Sequence, residues 1–439
     1  MDRAFDDNTA VWLDGAPPDE PTSPLARDLD VDVAIIGGGF TGVSTAYHLS
    51  RRYPDRSIVL LEAKRLANGA SGRNGGLMLN GISVLEDDPD ILAREHAVTR
   101  AAIDEVETLI REHKLDVRFR RTGCYQVATS QRSAEAAHAL VEQLAARGLP
   151  LEFIPAAKLD QTLRVRGACG AVLDPTEGWI NGVDLIRAMR PLLVAQGVQI
   201  YESTPVLRVR EGATVELATP NATVRARAIV LATSGYTPRL GYFRTGLLPV
   251  ISHVIATDPV PRELLERLGL ATVAGFHDDL PRLAYCSVDP DGRVIFGGGT
   301  TAAYGYRYGN ATTFDARPDD AAARALQASL ARYLPELAEI PIRHRWSGPL
   351  DLTLVRHCAM GVMGVHRNVY YALGYSGHGI TLANLAGRVL TDLYSDHHEP
   401  WRDVAFYMKR PSGIPPEPLR WIGYQLYTRF TGKSPWKRA

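Results

Sequence analysis

The stretch Gly37-Gly38-Gly39-Phe40-Thr41-Gly42 constrains this chain more than any other. An apolar run at 31–36 precedes it and reads as a buried strand. Residues 40–52 follow, with Val43, Ala46, Tyr47 and Leu49 at helical spacing. Residues 57–62 read as the next strand, so one βαβ unit is expected. In that context the pattern is GxGxxG. Gly37 permits the tight turn, Gly39 lets backbone approach a pyrophosphate, and Gly42 lets helix and strand pack closely. The helix N-terminus offers N–H groups and partial positive charge to phosphates. Glu62 ends the second strand, about 20 residues after the last glycine, where a carboxylate accepts from ribose hydroxyls.

With 439 residues, 45% of them hydrophobic, the chain is long enough for two cores. Its 49 basic and 49 acidic residues balance, which argues against nucleic acid as a partner, since that binding rests on neutralising phosphates. Cys124, Cys169, Cys286 and Cys358 lie far apart, so no CxxC metal or redox pair exists. His357-Cys358 does not have the look of a ligand pair either, and no metal is expected. Reduced thiols in a cytoplasmic setting are the expectation. The N-terminus is acidic and lacks an apolar core, so no signal peptide is visible. No run of about 20 apolar residues suggests a membrane span.

Alternating strand and helix patterns occur at both ends and in the middle, around a β-rich region at 246–300. A Rossmann-type α/β domain interleaved with a mostly antiparallel-sheet substrate domain is therefore expected. The first takes 1–82, 155–240 and 346–400; the second takes 83–154 and 241–345; 401–439 forms a basic-aromatic tail. Strands are expected at 118–128, 206–210, 282–288 and 293–297, the last two joined by a DPDG hairpin turn. Helices are expected at 91–113, 133–147, 183–196, 319–334 and 379–394.

Two further Gly-rich loops narrow the dinucleotide to a flavin. Asn68-Gly69-Ala70-Ser71-Gly72-Arg73-Asn74-Gly75-Gly76 follows the second strand; its small residues suit a diphosphate and the edge of a flat ring. Gly374-Tyr375-Ser376-Gly377-His378-Gly379-Ile380 joins a strand to a helix. That helix N-terminus suits the N1–C2=O edge of an isoalloxazine, which carries negative charge when reduced.

Together with residues 228–238 (AIVLATSGYTP) and 291–299 (DGRVIFGGG), these motifs resemble the D-amino-acid oxidase and glycine oxidase superfamily. Within it, GASGRNGG and GYSGHG are similar to the bacterial γ-glutamylputrescine oxidase-like branch. The resemblance runs from about residue 30 to about residue 395. It implies FAD, a substrate sheet over the flavin, and hydride transfer from an amine carbon to flavin N5, with the imine then hydrolysed. It implies that Gly37, Gly39 and Gly42 contact pyrophosphate, with Phe40 and Thr41 beside them, and that Glu62, Ala63 and Lys64 serve the ribose side. Gly69, Ala70, Ser71, Arg73, Asn74, Gly75, Gly76 and Leu77 are expected along the diphosphate and flavin. Val206 is expected at adenine, Thr233 and Gly235 at a turn near the cofactor, and Gly348, Gly374, Gly377, His378, Gly379, Ile380 and Thr381 around the flavin.

The sequence departs from relatives that attach flavin covalently: Trp346-Ser347-Gly348 is followed by Pro349, Leu350 and Asp351, with no cysteine. Non-covalent FAD is expected, Cys358 being the nearby alternative. The oxygen-activating lysine of such relatives has no counterpart in Arg293-Val294-Ile295-Phe296, and Thr381 stands where a substrate-gripping lysine would be. A small-molecule amine is thus the expected substrate, with O2 or another electron acceptor. Three functions are weighed: an amine oxidase releasing peroxide, a dehydrogenase serving a quinone or protein, and a flavin-holding assembly protein without turnover.

His378 is the leading catalytic candidate, with a purely structural role as its rival. Arg282, Tyr285 and Arg293 flank the DPDG hairpin and are set against surface exposure. His253, Tyr304, Tyr306 and Trp346 are weaker candidates, set against core packing, and Arg73 either binds an anion or caps its loop. Residues 401–439 hold eight Lys or Arg and two acids, a balance of +6, with Leu419, Trp421, Ile422, Tyr424, Leu426, Tyr427 and Phe430 among them. Such a helix suits a membrane surface, a dimer partner or the protein's own body.

Overall fold

The computed structural model describes residues 10–14, 19–83, 86–280, 283–309 and 319–431. The βαβ unit is present: β1 (Leu29–Ile36), α1 (Phe40–Arg52) and β2 (Ile58–Leu61). The strand β1 pairs in parallel with β2 on one side and with Thr223–Leu231 on the other. All four residues of β2 are buried, as a strand covered on both faces requires. Thr223–Leu231 is long enough to serve two further neighbours: its first half pairs with Val215–Ala218, its second with Val369–Leu373. The result is an eight-stranded sheet among the described residues.

Helix α1 packs against Gly379–Tyr394, and the contact is intimate because Gly387 has no side chain. A Cβ there would stand 2.1 Å from Ser44 Oγ. Ser44 Oγ also donates to the Asn384 carbonyl at 2.6 Å. Thr41 Oγ1 and Tyr375 Oη lie 2.6 Å apart at the other end of this pair. The two Gly-rich helix starts are thereby held side by side.

A second, nine-stranded sheet contains Leu248–Pro259, Arg293–Gly297, Tyr285–Val288, Gly275–Asp278 and Cys124–Ala128. Its pairings are antiparallel except for Gly275–Asp278 against Cys124–Ala128. The fold class is thus the expected one, α/β with a mostly antiparallel second sheet. The DPDG turn closes its hairpin with Gly292 at φ +81° and the Gly292 N–H donating to the Asp289 carbonyl at 3.0 Å.

Local differences have local causes. The strand expected at 118–128 is two, Phe119–Arg120 and Cys124–Ala128. Gly123 breaks it at φ +77° and sends the pieces to different sheets. Gly170–Asp174 lies inside 155–240, yet it pairs with Cys124–Ala128 and Glu152–Pro155 in the second sheet. Ile342–Leu352 runs across the 345/346 boundary as one strand against Leu248–Pro259. Val206 precedes its strand, which is Arg208–Arg210.

Candidate active site

Between the two sheets lies a cavity of about 1350 Å³. Ordinary small-molecule pockets hold about 300–1,000 Å³, so there is room for a cofactor and a second molecule. At one end Gly37, Gly38, Gly39, Phe40 and Thr41 form the floor. Gly37 sits at φ +112°, and a Cβ there would stand 2.5 Å from the Ala232 carbonyl oxygen. Gly42 is not in the wall; its missing Cβ makes room for the Gly37 carbonyl, 1.9 Å away. It shapes the turn from behind.

Glu62 lines the same end, with Ala63, Lys64 and Val206. Its Oε2 accepts from the Gly38 N–H at 2.7 Å and its Oε1 from the Lys64 N–H at 2.9 Å. The carboxylate therefore braces the Gly-rich turn and keeps acceptor capacity for a ribose hydroxyl. Burial pushes its pKa up.

The loop after β2 is held from behind, which the sequence did not reveal. Four successive carbonyls are tied to the body of the protein. Arg73 O accepts from Trp346 Nε1 at 3.0 Å, Asn74 O from Trp12 Nε1 at 3.0 Å, Gly75 O from Ser287 Oγ at 2.6 Å, and Gly76 O from the Ile180 N–H at 2.9 Å. Trp12, Trp179 and Trp346 pack together beneath, with ring centroids 5.5 and 6.3 Å apart around Trp12. Gly76 fits only as glycine: at φ +83° its Cβ would stand 2.4 Å from Trp179 Nε1. Gly69, Ala70, Ser71, Arg73, Asn74, Gly75 and Leu77 line the cavity; Gly76 does not. Arg73 Nε donates to the Asn68 carbonyl at 2.9 Å, so it does cap its loop, and burial lowers its pKa.

Thr233 and Gly348 line the middle of the cavity, while Gly235 packs behind it on Pro349. Gly374, at φ +76°, lies outside the wall, and its N–H donates to Asp351 Oδ2 at 2.6 Å. Gly377, His378, Gly379 and Ile380 are in the wall; Thr381 is one step behind. His378 Nδ1 and Thr381 Oγ1 are buried without a hydrogen-bond partner among the described residues. Unpartnered polar atoms at a helix start are what a bound polar ring edge would satisfy. A floor of glycines, a braced carboxylate and this unsatisfied far end fit FAD in chemistry.

The far end gathers residues from distant segments. His277, Tyr285, Tyr304 and Arg356 join His378 in the wall. His378 is held near pH 4 by burial, with His277 and Arg356 beside it, so its ring is neutral at neutral pH. Burial likewise lowers the pKa of His277. Burial raises Tyr285 to about 12, with a hydrogen bond to Ser252 acting the other way. Arg356 Nε is buried and has no hydrogen-bond partner among the described residues. Its backbone sits at φ +56°, unusual for arginine, and the residue lines the cavity.

Other candidates lie elsewhere. Arg282 falls outside the described residues. Arg293 is outside the wall and pairs with Asp289 at 3.2 Å and Asp291 at 2.9 Å. His253 is buried outside the wall and senses Asp319 and Arg307. Tyr306 donates to Glu417, and Trp346 supports the loop from behind. Among the described residues no cluster of His, Cys, Asp or Glu could hold a metal ion. Arg356, His277 and Tyr304 carry no motif; each is a single residue in an ordinary strand or loop.

The chain is 28% identical to gamma-glutamylputrescine oxidoreductase of Escherichia coli K12 over 388 residues, covering 85% of each chain. Its fold superposes on glycine oxidase from Geobacillus kaustophilus with a TM-score of 0.74 at 21% identity, over 89% of this chain and 100% of that one. L-proline dehydrogenase from P. horikoshii gives 0.71 at 19% identity, over 86% and 96%. The family model for FAD dependent oxidoreductases (DAO) matches residues 32–393. With that match spanning most of its length, the chain belongs to the D-amino-acid oxidase family of FAD-dependent oxidoreductases.

Proposed function

We propose that this FAD-dependent oxidoreductase oxidises the C–N bond of an amine that also carries an anionic group, with dioxygen as electron acceptor. The observation that carries the reading is Arg356: a buried Nε without a partner, at the end of the cavity where His378 closes the wall. A guanidinium so placed favours a carboxylate or similar oxyanion, which it binds through a charge-assisted hydrogen bond. The names of similar proteins agree in kind, being oxidoreductases of amines or amino acids.

FAD, when bound, supplies the acceptor for the hydride that leaves the substrate carbon. The residues of this chain have to hold the amine uncharged and oriented. Arg356 does the first through its positive charge, which lowers the pKa of a neighbouring ammonium. The neutral rings of His277 and His378 add no negative charge that would favour the ammonium. His378 Nδ1 can accept or donate one hydrogen bond, according to its tautomer. Tyr285 packs against Gly75 and Gly297, where a Cβ would stand within 2.5 and 2.2 Å of its ring, so its position is set by close contact.

Non-covalent FAD is part of the proposal: among the described residues that line the cavity there is no cysteine, and burial raises the pKa of Cys358. The four free cysteines accord with a cytoplasmic setting. A second acceptor is favoured by one observation: Lys64, at the nucleotide end, is the lysine among the described cavity-lining residues. A dehydrogenase serving a quinone or protein is the reading that follows from it. A membrane contact has its own observation, since Leu419, Trp421, Ile422 and Leu426 are exposed on the C-terminal helix; co-sedimentation with anionic vesicles tests it.

The decisive experiment mixes the purified holoprotein anaerobically with amines that do or do not bear a carboxylate. Bleaching of the flavin by anionic amines is expected, with peroxide released when air is admitted. Bleaching without peroxide establishes the dehydrogenase. No bleaching by any amine leaves a flavin-holding protein without turnover.

A further inference from the structure

The C-terminal helix, Leu419–Thr431, lies beyond the residues matched by the family model, which end at 393. Even so, Tyr424 and Thr428 line the main cavity. One helical turn separates them, so both point to the same side. Tyr304, in the same wall, lies within electrostatic reach of Arg356 and of Tyr424. The helix therefore reaches the end of the cavity where Arg356 sits, not the nucleotide end.

Its seat is well built. Arg420 is buried, with Nε donating to the Pro415 carbonyl at 2.9 Å and a second nitrogen donating to the Arg244 carbonyl. Gln425 Nε2 donates to the Tyr306 carbonyl at 3.3 Å, and the Tyr424 and Tyr306 rings stand 5.6 Å apart. Glu417 accepts from Tyr306 Oη and, at 3.3 Å, from the Gly309 N–H. Upstream, the Ile414 N–H donates to the Thr245 carbonyl at 2.9 Å.

We propose that this helix is a wall of the substrate pocket, with Tyr424 and Thr428 setting how long a chain the anionic amine can carry. The proposal rests on the reading of Arg356 given above. An aromatic ring and a threonine methyl form an apolar limit beyond the anion grip. The substrate class is then an amine with an aliphatic body between or beyond its charged groups, cut off where Tyr424 begins. Removing the ring should admit longer chains, and filling the wall at position 428 should exclude them.

Straight-chain carboxylates from acetate to octanoate, titrated into the oxidised holoprotein and followed by the flavin absorption spectrum, test this without turnover. In Tyr424→Ala the best-bound chain should become longer, with octanoate gaining about 10-fold in affinity, the scale of a methylene or two in an apolar pocket. Thr428→Leu should shift the optimum to shorter chains by a similar factor. Both variants should keep the flavin-to-protein ratio of the parent, which shows that they are folded. Unchanged length profiles in both variants overturn the proposal. If no carboxylate perturbs the parent spectrum, the anion reading of Arg356 fails. The helix is then judged on anaerobic reduction by alkylamines of increasing length, where identical profiles overturn it, as does silence in both arms.

Discussion

The two ends of the cavity are made differently. The nucleotide end is mostly main chain: Gly37–Gly39, the start of α1 and the loop at 68–75. Its shape is set by missing side chains and positive φ angles. The far end is mostly side chains: His277, Tyr285, Tyr304, Arg356, His378 and Tyr424, from six separate places in the chain. A backbone cradle tolerates no added atoms and draws most of its polarity from main-chain N–H groups. A side-chain cluster tolerates changes of shape but depends on each charge and hydrogen bond. Variants at the two ends should therefore fail in different ways.

The largest effect is expected at the backbone end. Gly37→Val places a Cβ against the Ala232 carbonyl at a φ that valine rarely adopts. The purified variant should be nearly colourless, read from the ratio of flavin to protein absorbance. Normal flavin content would erase the contrast between the ends.

Next comes Arg356→Met, which keeps the volume and removes the charge. Flavin content should stay normal while kcat/KM for anionic amines falls about 10–100-fold, the scale of a lost charge-assisted hydrogen bond. Amines without an anion should be little affected. Equal losses for both classes would show that Arg356 does not read the anion.

A pH measurement sharpens the comparison further. His378 is held near 4, against 6.5 for an ordinary histidine, chiefly by burial. The folded state thus binds fewer protons than the unfolded chain between those values. The stability that follows is fully present above about 6.5 and is lost as pH falls toward 4. His48 acts in the same direction. In His378→Asn the fall of Tm with acidity should be shallower, and an unaltered slope would place the ring in a more polar setting than the wall implies.

The smallest effect is expected behind the loop. Trp346→Phe removes the donor to the Arg73 carbonyl and should cost about 1–3 kcal/mol of stability. A Tm lowered by several degrees, with flavin retained, is the expected result. Loss of flavin here would mean that the loop depends on its support more than the four tied carbonyls suggest.

The nucleotide end could be read from sequence because its parts are neighbours in the chain. Strand, glycines, helix and Glu62 occupy residues 29–62, and each acts through local backbone geometry. The hairpin at Asp289–Gly292 was legible for the same reason. The far end was harder. His378 stood out because it sits in a glycine loop. His277, Tyr304 and Arg356 have no such setting, and Arg293, one of the hairpin arginines, turned out to be paired with Asp289 and Asp291 away from the cavity. The tail held aromatic and basic residues in plain view, but nothing in their order showed that Tyr424 would reach the cavity.

What the amino-acid order determined alone was the part governed by short-range conformation: where the chain must turn, where only glycine fits, and that FAD belongs there. The tertiary structure decided which side chains meet at the far end, that Trp12 and Trp346 hold the loop from behind, and that a helix past residue 418 closes the wall. Those contacts join residues tens to hundreds of positions apart. They come from the packing of two sheets and several helices as a whole, and no local pattern encodes them.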